Sequence, residues 1–144
     1  MSAPEGRSRT LARLTLGLLL TSAGVAHLTV RRAEFRAQVP DWFPVDDDAV
    51  VLASGVAEIV LGLALVFTRS RRALVGVATA CFFVVIFPGN VAQFVDKTDA
   101  FGLDTDAKRF GRLFFQPVLV VWALWSTGAY SWLRQRVRRR MAGR

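Results

Sequence analysis

Apolar and polar positions in this chain separate on the scale of whole segments rather than alternating residue by residue. Leu14–Thr29 carries a single charged or imidazole side chain, His27, and Ala49–Thr68 also carries one, Glu58. Ala73–Val95 and Leu113–Leu133 carry none. Each block approaches the roughly 20 apolar residues that a helix needs to cross a hydrocarbon core of about 30 Å. The pattern predicts an all-α integral membrane four-helix bundle with spans at about 11–30, 50–67, 73–91 and 110–133. A basic tail (1–10) precedes the bundle and an arginine-rich tail (134–144) follows it.

Helical periodicity refines the picture. Gly17, Thr21, Gly24 and Leu28 fall on one face of the first span, where small residues admit a close neighbour. In the second span Ser54, Glu58, Gly62 and Leu65 share a face, with Gly55 one turn before Glu58. A carboxylate near mid-membrane costs roughly 2.5–3.5 kcal/mol on insertion scales, so Glu58 is expected to face protein or a wet cavity. Between these spans, Pro40 and Pro44 bracket Asp41-Trp42-Phe43, which predicts an aromatic anchor or a segment folding back over the bundle. Asp46-Asp47-Asp48 is expected to cap the following helix. Pro88-Gly89-Asn90 predicts unwinding at the end of the third span, and Gln116-Pro117 predicts a kink near the start of the fourth.

Charge then sets topology. The chain combines 53% hydrophobic residues with a net charge of +8, and the charges lie in the connections and tails. Twelve Lys and Arg residues fall on the side of the two termini and the second connection. The opposite side has seven, offset by nine carboxylates, so both termini are expected to be cytoplasmic. Beside a membrane helix the final arginine run reads as a topology signal and a contact for anionic lipid, rather than a nucleic-acid site. Cys81 is the sole cysteine, which excludes an internal disulfide and a dithiol pair.

In that orientation one polar residue from each helix converges on the outer half of the membrane: His27, Glu58, Asn90 and Gln116. Such a set either fixes helix packing or lines a pocket for a ligand. His27 and Glu58 together suit proton exchange with a lipid-soluble molecule such as a quinone. One histidine and one carboxylate are too few for a protein-made metal centre, and the Asp96–Arg109 connection has no calcium-loop spacing. Haem and flavin motifs and a nucleophile–base triad are absent, and no catalytic set is legible.

Five pieces, in order along residues 14–120, carry a resemblance. They are GLLLTSAGVAHL with His27, VPDWFP with Pro40 and Pro44, SGVAEIVLGLAL with Glu58, VIFPGN with Asn90, and FFQPVL with Gln116. Together they resemble the DoxX-like family of small bacterial four-helix membrane proteins. That resemblance implies a multi-pass protein of the bacterial cytoplasmic membrane, associated with membrane redox systems. Named relatives include a subunit of a thiosulfate:quinone oxidoreductase and a membrane partner in mycobacterial oxidative-stress complexes. It therefore implies a quinone-binding accessory subunit with a redox partner protein. A non-enzymatic scaffold is the reading of a different class, and acid/base isomerisation of a sterol-like substrate is a third.

Overall fold

The computed structural model describes residues 6–143. Residues 1–5 of the expected N-terminal tail, and Arg144, lie outside the described residues. The described chain is all-α, with six helices: α1 (Arg7–Leu28), α2 (Arg32–Arg36), α3 (Asp47–Phe67), α4 (Arg72–Val95), α5 (Asp106–Ser126) and α6 (Ala129–Ala142). Helices α1, α3 and α4 are each long and apolar enough to cross a membrane, and the bent pair α5–α6 supplies a fourth candidate. The protein is thus a small multi-span membrane protein.

Polarity is distributed as a lipid solvent requires. Leu18, Val56, Val60, Val84, Val85, Val118 and Val121 point outward, while Arg13, Glu58, Asn90, Gln93, Arg109 and Gln116 are buried. In water such an outer surface would be one large exposed patch; in a bilayer it is the expected exterior.

The main helices form a ring in the order α3–α1–α5–α4, closed by a sparser α4–α3 seam. The α1–α3 pair is the tightest. A Cβ placed on Gly24 would stand 2.6 Å from the Gly55 carbonyl oxygen, and one on Gly62 would stand 2.7 Å from that of Gly17. The four glycines therefore let two backbones meet directly.

Arg13 fastens the same pair at the end where α3 stops. The last carbonyls of a helix lack intrahelical partners and carry partial negative charge. The buried Arg13 guanidinium donates to the Leu65 carbonyl and, at 3.3 Å, to that of Val66. Arg13→Met should lower the melting temperature of the purified protein by several degrees, since hydrogen bonds to a charged group contribute about 1.5–3 kcal/mol. Arg13→Lys should recover part of the loss. Intrinsic tryptophan fluorescence on heating reads both variants.

Three local expectations differ from the structure. Helix α4 does not unwind at Pro88-Gly89 but continues to Val95. The neighbouring helix α5 braces this stretch on both sides of Pro88, where Gln116 Nε2 donates to the Phe83 carbonyl at 2.6 Å and Gln116 Oε1 accepts from Asn90 Nδ2 at 3.0 Å. The fourth span is not one helix over 110–133: Gly128 adopts φ 73° and turns the chain by 73° between α5 and α6. This elbow is packed, with Ser126, Thr127 and Ala129 buried and Thr127 against Gly76. The arginine-rich end, expected as a tail, is helical through Ala142.

Other end signals act as the sequence indicates. The Asp46 carboxylate accepts from the backbone N–H groups of Asp48 and Ala49, capping α3. In the connection before α5, the Lys108 ammonium holds the Asp104 carboxyl below the usual carboxylate range. Whatever that exposed pair contributes is present above the ordinary aspartate pKa and is lost as pH falls through the lowered one.

Candidate functional site

The sparse α3–α4 seam encloses a cavity of about 440 Å³. One wall is α3, through Val51, Ser54, Ala57 and Glu58; the facing wall is α4, through Phe82, Val85, Ile86 and Asn90. His27 and Arg112 reach it from α1 and α5, and the segment Gln38–Phe43 folds back across its end. The size suits a small-molecule site, and the lining has the usual pattern of apolar walls with a few polar groups.

Glu58 lies eleven residues into α3, roughly 16 Å along the helix axis. It is 5% exposed, and its Oε2 accepts no hydrogen bond among the described residues. His27 Nδ1 is nevertheless only 2.7 Å from that oxygen. The same nitrogen lies 3.0 Å from the Ala23 carbonyl, which it meets with hydrogen-bonding alignment. A single proton on Nδ1 serves one of these two oxygens, so Glu58 has a close imidazole neighbour and an unused lone pair. Burying a carboxylate oxygen in this condition is costly, and a donor in the cavity would relieve it.

Asn90 joins this wall to α5. Its Nδ2 donates to Gln116 Oε1 at 3.0 Å, and its Oδ1 accepts from Arg112 Nε at 3.2 Å. Arg112 Nη2 also reaches Gln38 Oε1 at 3.4 Å. The cavity is therefore a dipolar site, with a carboxylate and imidazole towards α1 and α3 and a guanidinium with an amide towards α4 and α5.

A stack of rings closes the end near α2. Phe35 lies face to face on the His27 imidazole, Phe101 meets Phe35 edge-on at 4.6 Å, and Arg112 sits 4.9 Å over the Phe101 ring. The Phe101 N–H donates to Glu34 Oε2 at 2.6 Å, which holds this residue at φ 57°. For a side chain with a Cβ that conformation costs about 1–2 kcal/mol, so the roof is held under strain by its neighbours.

Of the four polar positions singled out in the sequence, His27, Glu58 and Asn90 line one cavity. Gln116 does not line it; it stands behind Asn90 and fixes that amide by bonding Phe83 and Asn90 together. Arg112, Gln38 and Phe35 line the cavity without having been singled out. Arg112 was legible, because it lies one helical turn before Gln116 on the same face of α5. Gln38 and Phe35 carry no local signal, and only the fold brings them there. No group of three metal-binding side chains occurs among the described residues.

No curated protein and no solved structure matches the chain. One family model does, over residues 16–127, a stretch holding α1 from its third turn, α2, α3, α4 and α5 with every polar residue of the cavity. The chain belongs to that family, the domain of unknown function DUF8561.

Proposed function

We propose that this protein is a membrane-embedded binding subunit that holds a lipid-soluble, quinone-class molecule between α3 and α4 and serves a redox partner protein. One observation carries the reading: the Oε2 oxygen of Glu58 is buried in the cavity wall without a hydrogen bond among the described residues, and a cation and an amide line the same cavity. A ring with an oxygen at each end suits such a site. A hydroquinone hydroxyl donates to Glu58, and the opposite oxygen accepts from Arg112. The His27–Glu58 pair then holds or releases the proton that accompanies reduction or oxidation of the ring. The electrons belong to the partner, since the chain carries no redox motif of its own. The DoxX-like resemblance of the five sequence pieces points the same way.

The proposed topology is both termini in the cytoplasm of a bacterium, with the cavity in the outer half of the membrane. On the cytoplasmic side α6 leaves the bundle at the elbow with its arginines exposed and Arg136 stacked 4.4 Å over Trp132. That arrangement suits a helix lying on an anionic lipid surface.

Native mass spectrometry of the protein released from membranes tests the binding reading. A quinone-class adduct on the wild type that is lost in Glu58→Gln is expected. Bulk phospholipid alone on both, with thermal stability lost in the variant, would contradict it. That result would leave a non-enzymatic scaffold whose polar network only fixes helix packing.

A further inference from the structure

The cavity has two ends of different character. Towards α2 it is shut by the His27–Phe35–Phe101 stack and by Gln38, which bonds Gln93 and Arg112. Gln38 also presents its carbonyl to Gly89, close enough that a Cβ there would stand 3.3 Å away. The side between the two helices is different. Ala53, Val85 and Pro88 line the cavity yet are exposed, Val85 at 73%. Val56 and Val60 on α3, with Val84 on α4, continue an apolar exterior on either hand. An opening framed by such residues within two spans faces acyl chains, not water. The cause lies in the packing: α3 is committed to α1 through its glycines and meets α4 only sparsely.

We infer that the site is loaded sideways from the bilayer through the gap between Ala53 and Val85. Its ligand is a single-tailed amphiphile: an oxygen-bearing head lies against Arg112, Asn90 and Glu58, and an apolar tail remains in lipid through the gap. This deepens the proposed binding reading and rests on it for the head, while the position of the gap stands on its own. Tail and head then contribute separately. A bulky residue at the gap should exclude long-tailed ligands and spare a tail-less ring.

Two measurements on the full chain in nanodiscs separate these points. In a Cys81→Ser background, a bimane probe at Val85→Cys should be quenched by brominated acyl chains and not by aqueous iodide. Quenching by iodide instead overturns the sideways route. Separately, Ala53→Trp and Val85→Trp should weaken binding of a long-chain menaquinone by about tenfold or more, leaving a tail-less naphthoquinone within about twofold of wild type. Equal binding of the long-chain ligand by wild type and both variants also overturns the route. If neither quinone binds the wild type while the bimane is quenched by lipid, the quinone reading fails and the lateral opening stands.

Discussion

Gly62→Ala is expected to lower the melting temperature of the protein, although a glycine-to-alanine change inside a helix ordinarily raises it. The ordinary gain is about 1 kcal/mol of helix propensity. Opposing it, the new methyl would stand 2.7 Å from both the Gly17 carbonyl oxygen and the Thr21 nitrogen, and 2.3 Å from Thr21 Oγ1. The side-chain oxygen can rotate away; the two backbone atoms cannot. Relief requires α1 and α3 to separate, and overpacking of this kind typically costs about 1–3 kcal/mol. Gly24→Ala meets the Gly55 carbonyl and the Ile59 nitrogen in the same way, so the double variant should unfold well below either single one. Gly111→Ala supplies the control. A Cβ there meets nothing within 4 Å, and its melting temperature should stay equal or rise. Heating curves followed by tryptophan fluorescence compare the four variants with the wild type. The separation should also reach the site, because Gly55 abuts His27 Cβ, and a displaced α1 carries His27 away from Glu58.

The second large effect is expected at Glu58. Glu58→Gln keeps the volume and one carbonyl oxygen but removes the charge beside His27 and the titratable proton. Binding of a quinone-class ligand should fall by about ten- to a hundredfold, the equivalent of losing one charge-assisted hydrogen bond of about 1.5–3 kcal/mol. Stability should hardly change, since Glu58 Oε2 makes no hydrogen bond among the described residues and His27 keeps the Ala23 carbonyl. Glu58→Ala should lose as much binding and also leave a larger hole between α1, α3 and α4. A merely structural glutamate would give the reverse result, with stability lost and ligand binding absent from the start. Titration of a fluorescence-quenching quinone into nanodiscs, beside a melting curve on each variant, separates the two.

How far the chain could be read follows from where each signal lives. The glycine faces of α1 and α3 were visible because helix periodicity is a local property, and four small residues at matched spacing leave little else for them to do. Glu58 was visible because one carboxylate in an apolar run stands out. Arg112 was legible but, beside the Asp96–Arg109 charges, was counted only towards topology. The relation that gives it meaning is its one-turn spacing from Gln116. Pro88 misled because proline alone predicts a break, whereas the support from Gln116 on α5 is tertiary. The elbow at Gly128 was obscured because apolar residues continue past it. A left-handed glycine between two helical stretches leaves no trace in a hydropathy pattern. The roof formed by Phe35 and Phe101 joins residues far apart in the chain, and no spacing rule connects them.

The central claim is that the α3–α4 cavity is a ligand site built around Glu58. Photolabelling with an azidoquinone in nanodiscs, followed by peptide mapping, tests it most directly. Saturable label should fall on the cavity faces of α3 and α4, within 51–58 and 82–89, and should vanish in Glu58→Gln. Label spread over outward residues such as Leu18 and Val121, or label indifferent to the Glu58 substitution, would contradict it.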